Sequence, residues 1–373
     1  MDYGVSKKGF EADAFIYELA DGIIGDNYPF PDRMLTHIEK IVHDYLVQEM
    51  CYNNPPSGKF NIFAVEGATA AMCYIFDTLN SNNLLKSKDK IALMVPIFTP
   101  YLEIPHLPRY DLDVVYILAN EYSDDGTHTW QYPKRELEKL KDSSIKALFI
   151  VNPSNPPSVA INKEGRENLV SIIKNYNKDL MIISDDVYGT FVNGFRSLIA
   201  DLPYNTIGVY SLSKYFGVTG CFKSYRWTFY SSTSTNGIFC AFSLLDKENI
   251  YKNLTIDICH KRRKLLFNGL GLPFKDNPND AAYYTEFDLL EWATNYYGDA
   301  FCNYLQINYK LVDILYRLAE ESSIVLLSGG GFQGPEWSIR ISLANLNDEA
   351  YSTIGEVLHK ILNEFVIDWK NSL

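Results

Sequence analysis

Tyr210-Ser211-Leu212-Ser213-Lys214-Tyr215-Phe216-Gly217-Val218-Thr219-Gly220 is the stretch from which the chain is best read. It follows a predicted strand, Thr206 to Tyr210. A lysine just past a strand end, with hydroxyl residues before it and glycines after it, joins two kinds of chemistry. Its amine can lose a proton, and hydroxyls with closely approaching backbone can hold a phosphate. Together they point to a lysine that bonds pyridoxal 5'-phosphate (PLP) through its amine. A surface lysine in a Ser/Gly turn is the alternative, and the neighbouring segments decide between the two.

Upstream, Phe60–Val65, Ile91–Val95, Asp113–Leu118, Ile145–Val151 and Leu180–Ile183 read as strands. Ile91–Val95 is a continuous apolar run, as in a parallel strand buried on both faces. Helices are predicted between them, one with Ala71, Ile75, Phe76 and Leu79 inward, another around Leu169, Ile172, Ile173 and Tyr176. Alternating strands and helices predict a doubly wound α/β domain. The polar constellations fall at strand C-terminal ends, where ligands bind in open α/β sheets. They are Glu66-Gly67-Ala68-Thr69, Pro96-Ile97-Phe98-Thr99-Pro100-Tyr101, Asn152-Pro153-Ser154-Asn155-Pro156-Pro157, Ser184-Asp185-Asp186-Val187-Tyr188 and the lysine stretch itself. Strand, glycine turn and helix start at Gly67 is also an arrangement that presents backbone N–H groups to a phosphate.

At the N-terminal side, Phe15–Ile24 has helical spacing. Asn27–Asp32 breaks it, and Asp32 is a helix cap for a face of Ile38, Ile41, Val42, Tyr45 and Leu46. Downstream of Gly220 one helical stretch is predicted from Ile238 through Leu266. Its basic run, Lys261-Arg262-Arg263-Lys264, reads as a solvated face. A smaller α+β unit follows: strand Tyr283–Leu289, a helix near Phe301–Glu320, strand Ile324–Leu327, strand Ser338–Leu343 and a final helix from Ala350. The expected division is a large domain over 27–264 and a small one built from 1–26 with 265–373.

Length and composition agree with this. A chain of 373 residues suits two packed domains, and 47% hydrophobic residues can supply their cores. A net charge of −12 with no basic stripe argues against nucleic acid as a partner. No apolar run is long enough to span a bilayer, and Met1-Asp2-Tyr3-Gly4 does not open a signal peptide, so a cytoplasmic protein is expected. Six cysteines without a C-x-x-C read as small buried hydrophobes in a reducing compartment. Six dispersed histidines show no metal-ligand spacing, so no metal is expected.

With these motifs placed, the chain resembles the class I/II aminotransferase group of PLP-dependent transferase fold type I. The matching pieces are Asn152-Pro-Ser-Asn-Pro-Pro157, Asp185-Asp-Val-Tyr188, Ser211-Leu-Ser-Lys214 and Arg340 within Ser338-Ile-Arg-Ile-Ser342. Four further stretches are similar to the aspartate 4-decarboxylase branch: Asp21–Pro29, Pro96–Pro105, Gly126–Pro133 and Gly329–Trp337. The resemblance implies that Lys214 bonds the cofactor and then moves a proton. It implies that Asp185 pairs with the pyridinium nitrogen, that Tyr188 and Asn155 bond the ring oxygen, and that Phe98 stacks on the ring. It places Gly67, Ala68, Thr69 and Ser211 on the phosphate, with Ser213 beside them, and Asn155 and Arg340 on the substrate, L-aspartate. Tyr28 matches a tyrosine that reaches the phosphate from a partner subunit, which implies a homodimer.

The sequence departs from the family in two places. Where the family carries a phosphate-binding arginine, this chain has Phe222, with Lys223 and Arg226 nearby. The stretch Cys221–Gly237 is also shorter than its family counterpart, so a missing strand is expected to leave a sheet edge or a gap. The family is longer at the N-terminus too, where a substrate-contacting segment finds no match. These departures keep two further readings open: an aminotransferase of other specificity, and a catalytically silent homologue.

Overall fold

The computed structural model describes residues 36–58, 60–217 and 228–373. Five strands, β1 (Lys90–Val95), β2 (Asp113–Leu118), β3 (Ile145–Val151), β4 (Met181–Asp185) and β5 (Thr206–Val209), form a parallel sheet in the order β2-β1-β3-β4-β5. Alternate residues along each strand feed two cores. Ile91, Leu93, Ala147, Phe149 and Ile183 point to one face, where Phe76 stacks on Phe149 with centroids 4.7 Å apart. Ala92, Met94, Leu148, Ile150 and Ile182 point to the other, under Leu169, Ile172 and Ile173. Burial on both faces is why these strands read as unbroken apolar runs.

The longer helices before and between the strands are α1 (Thr36–Cys51), α2 (Ala68–Ser81) and α3 (Lys163–Tyr176). A one-turn helix, α4 (Leu212–Tyr215), carries Lys214 just past β5. The predicted strand Phe60–Val65 forms no regular element. A strand needs a neighbour to take its backbone groups, and here the Ile62 amide donates to the Glu39 carboxylate instead. Among the described residues β5 is an edge strand. A cavity of about 720 Å³ lies beside it, lined by Ile62, Ala64, Ile75, Ile207 and Val209. The stretch after Gly220, from which a sheet edge or a gap is expected, lies outside the described residues over 218–227.

The single helix predicted over 238–266 is two, α5 (Thr228–Leu245) and α6 (Ile250–Leu270). The Asp246 carboxylate accepts from the Ile250 and Tyr251 amides at 2.8 and 2.7 Å, and Asn249 turns left-handed at φ 53°, so α6 starts anew. The helix near Phe301–Glu320 is also divided. α7 (Leu289–Tyr297), α8 (Asp299–Asn308) and α9 (Leu311–Ser322) are separated by Gly298 at φ 81° and by the extended Lys310. A second, antiparallel sheet has the order β6-β8-β7, from β6 (Tyr284–Asp288), β7 (Leu327–Ser328) and β8 (Ser338–Ser342). The strand expected at Ile324–Leu327 is thus reduced to a two-residue edge, and Val325 is exposed. The last helix, α10 (Asp348–Asn371), packs on α6. Gly269 and Gly355 permit that crossing, because a Cβ on either would overlap the other helix's backbone.

The basic run on α6 is a solvated face only in part: Lys261 and Lys264 are exposed, while Arg262 and Arg263 turn inward. Arg262 and Lys261 bond Asp348 at 3.0 and 2.7 Å, Lys264 lies 3.8 Å from Asp276, and Arg263 pairs with the buried Asp280. Removing one partner of a buried pair strands the other charge. Asp280→Ala is therefore expected to cost about 3–5 kcal/mol of stability, seen as a lowered urea midpoint. An unchanged midpoint would show the pair to be immaterial.

Candidate active site

Lys214 stands at the carboxyl ends of the parallel strands because Ser211 caps its helical turn. The Ser211 hydroxyl accepts from the Ser213 amide and bonds the Ser213 hydroxyl at 3.0 Å. The Lys214 amine lies 5.6 Å from the centre of the Tyr283 ring, and its charge acts on the buried Asp185. Asp185 ends β4. Its carboxylate accepts from the Tyr101 hydroxyl at 3.0 Å and the Val187 amide at 3.4 Å. Burial pushes its carboxyl up to about 6, against the pull of these two bonds and of Lys214. Asp186, pushed by burial to about 8, turns away to the Ser197 and Ser184 hydroxyls and is structural.

The Asn152–Pro157 loop leaves β3 and meets the second sheet. The Ser158 hydroxyl accepts from the Tyr283 and Tyr284 amides at 3.1 and 3.3 Å, which fixes the start of β6 against the loop. That docking brings Arg340 on β8 to Asn155, whose side-chain oxygen accepts from the guanidinium at 3.4 Å. Arg340 is held between the rings of Tyr284 and Phe332, 4.6 and 4.8 Å from their centres. Among the described residues no carboxylate lies within ion-pair distance of it. The buried Tyr188 hydroxyl faces that of Tyr284 at 3.5 Å, and burial holds its pKa well above the usual phenol range.

Gly67 starts α2 with φ 103° and no side-chain cap. A Cβ there would meet nothing within 4 Å, so the first amides of a fourteen-residue helix open onto free space. Ala68 and Thr69 form its first turn. Gly67 and Ser211 line the same cavity. Phe98 is half-buried in a loop tied to the Gly329–Phe332 turn, through Ile97 to Phe332 at 3.0 Å and Thr99 to Gly331 at 3.1 Å. Tyr28, Phe222, Lys223 and Arg226 lie outside the described residues.

Against this geometry, the family model for class I and II aminotransferases matches residues 61–358. The chain belongs to that family. A bifunctional aspartate aminotransferase and L-aspartate beta-decarboxylase of Pseudomonas is 38% identical, over 99% of this chain and 79% of its own length. The alignment runs over 426 positions against 373 residues here, so at least 53 of its positions face gaps in this chain. An aromatic aminotransferase of Pyrococcus horikoshii superposes with a TM-score of 0.66 at 19% identity, over 96% of this chain and 93% of its own. Cystalysin of Treponema denticola, solved with pyridoxal 5'-phosphate, superposes at 0.60 and 15% identity, over 95% and 87%.

The protein is a PLP-dependent aminotransferase-family enzyme, and the residues present fit the cofactor. A buried acid without a cation in bonding range suits a protonated ring nitrogen. An open helix start with hydroxyls suits a phosphate, and the Lys214 amine, close enough for its charge to act on Asp185, suits the bond to the cofactor.

Sequence reasoning missed Tyr101, Tyr283, Tyr284 and Glu286. The last two alternate on β6, a period-2 signal for one face of a strand. Glu286 sits opposite Arg340 in the ladder yet bonds the Ser338 hydroxyl at 2.6 Å, with its other oxygen unpartnered. Burial pushes its carboxyl up to about 8, so at neutral pH it is mostly uncharged and leaves Arg340 free. A folded-state value above the unfolded one means that stability falls as pH rises from the unfolded value towards 8, by up to about 1.4 kcal/mol per pH unit. Glu286→Gln should flatten that slope, giving a higher Tm than the parent at pH 8 and a similar one at pH 5. Parallel Tm–pH curves for the two proteins would contradict this.

Proposed function

We propose that this enzyme removes the β-carboxylate of L-aspartate to give L-alanine and CO2, with aspartate transamination as a side activity. The observation that carries the reading is the 38% identity over 99% of the chain to the Pseudomonas enzyme of that double activity. The guanidinium of Arg340, set between Tyr284 and Phe332 with no carboxylate of the described residues in ion-pair range, supports it as the receptor for the substrate α-carboxylate.

Arg340 and Asn155 orient the amino acid, so that its Cα proton faces the Lys214 amine. Lys214 takes that proton and later returns one. Asp185 would keep a positive charge on the ring nitrogen, while Tyr188 and Asn155 would bond the ring oxygen and Phe98 would cover the ring. Gly67, Ala68, Thr69, Ser211 and Ser213 would hold the phosphate. When bound, PLP supplies the electron sink that accepts the pair left by the departing carboxylate. In net reaction the Cβ–carboxylate bond breaks and a proton takes its place. Tyr28 from a second copy would complete the phosphate site, which makes the working unit a homodimer.

The cavity beside β5 and the Phe222 substitution favour one competing reading, a silent homologue with a weakened phosphate site. A PLP titration followed by absorbance separates the two. The enzyme reading expects a saturable visible band that depends on Lys214, followed by alanine and CO2 from aspartate alone. Alanine absent, with turnover only when a 2-oxo acid is added, would leave transamination. No band at millimolar PLP would leave the silent homologue.

A further inference from the structure

A second cluster lies away from Lys214, where the loop after β2 meets the start of α7. His128 is 8% exposed, and its ring is stacked between Tyr122 and Trp130 with centroids 4.6 and 3.8 Å away. Its Nε2 bonds the Ala119 carbonyl at 2.5 Å. A carbonyl only accepts, so the ring proton sits on Nε2 and Nδ1 carries a lone pair. That Nδ1 is buried and has no hydrogen-bond partner among the described residues. An unprotonated, unpartnered ring nitrogen inside a protein costs free energy unless something fills its lone pair.

Two carboxylates lie close to the ring. Ligand atoms of His128, Asp288 and Glu291 lie within 4.8 Å of one another. Asp288 and Glu291 are one turn apart at the start of α7. Asp288 Oδ1 accepts from the Leu290 and Glu291 amides, and Glu291 Oε2 accepts from the His128 amide at 3.0 Å. These bonds orient both groups and leave Oδ2 and Oε1 for another ligand. A cavity of about 470 Å³ bordered by Asp288, Glu291 and Glu336 leads to them.

We propose that His128, Asp288 and Glu291 form a site for a divalent first-row metal ion, with Zn²⁺ the best match. One imidazole nitrogen with two carboxylate oxygens suits Zn²⁺ at about 2.0–2.2 Å. The Ala119 carbonyl behind Nε2 is the outer-shell partner that such a histidine ligand requires. The open side of the cluster leaves the fourth position to water. The three ligands come from the loop after β2, the end of β6 and the helix that follows it, so the ion would clamp the two sheets' units together. Histidine spacing along the sequence gave no sign of it, because His128 and its acids are joined only by the fold.

The test is calorimetric titration of the full-length, PLP-loaded, EDTA-stripped protein with Zn²⁺, with Co²⁺ absorbance as a second readout. The expected result is one ion per chain, a tetrahedral Co²⁺ spectrum and a raised Tm. Glu291→Gln and Asp288→Asn keep the hydrogen-bond acceptors and the helix cap, so they should fold and bind at least ten-fold more weakly. His128→Gln is expected to do the same. Absence of binding at 100 µM Zn²⁺, or binding undiminished in Glu291→Gln and Asp288→Asn, would overturn the site. A thiolate-type Co²⁺ spectrum would overturn it too, by assigning the ion to cysteine.

Discussion

Replacing Lys214 by alanine is expected to abolish the visible absorbance of the bound cofactor and to cut turnover of aspartate by about 10²–10⁴-fold from the lost proton transfer alone. Lys214 is the ammonium group that acts on the buried Asp185, and its turn is held by the Ser211 cap rather than by the amine itself. The substitution should therefore leave fold and Tm almost unchanged. Alanine lacks only a half-exposed side chain at the end of a one-turn helix. Added primary amines small enough to reach the cavity should restore part of the rate, because the missing function is a base and not a scaffold. Retained absorbance and full turnover in Lys214→Ala would remove Lys214 from the chemistry. A collapse of Tm with no other change would make it structural.

The parallel sheet was legible because strands buried on both faces must be apolar throughout. Ile91–Val95 and Ile145–Val151 therefore stand out in the sequence at nearly their observed limits. The polar loops were legible for a related reason. Ligand groups gather where those strands end, so Asp185, Asn155 and Lys214 each follow an apolar run. Contacts between distant segments were not legible. Tyr101 bonds Asp185 across 84 residues, and nothing in the Pro96–Tyr101 stretch announces which acid it will meet. Arg263 looked like part of a charged surface because its partner, Asp280, lies beyond the helix that carries it. Phe60–Val65 has strand-like residues, but strand formation depends on a neighbour that the described residues do not supply beside β5. The helix breaks at Asp246–Asn249 and Tyr309–Lys310 arise from capping side chains and from left-handed or extended residues. Apolar periodicity runs straight through these local signals.

Arg340→Ala should lower kcat/KM for aspartate by about 10²–10⁴-fold, through loss of two charge-assisted bonds worth roughly 1.5–3 kcal/mol each. Most of that loss should appear in KM, because the guanidinium grips a carboxylate that is present in substrate and transition state alike. Arg340→Lys should recover only part of it. An ammonium keeps the charge but cannot form the planar fork, nor fill the space between Tyr284 and Phe332 as a flat guanidinium does. Cofactor absorbance should survive both changes, since Arg340 touches Asn155 and the two rings rather than the Lys214 turn. Glu286 makes the prediction sharper. Its carboxyl is mostly protonated at pH 7 and loses its proton around pH 8. Above that pH a new anion opposite Arg340 competes with the substrate carboxylate, so KM for aspartate should rise from pH 7 to 9. Glu286→Gln should remove that rise while leaving KM at pH 7 near the parent value. A KM that climbs equally in Glu286→Gln would assign the competition to another group, and a kcat/KM unchanged by Arg340→Ala would place the substrate carboxylate elsewhere in the site.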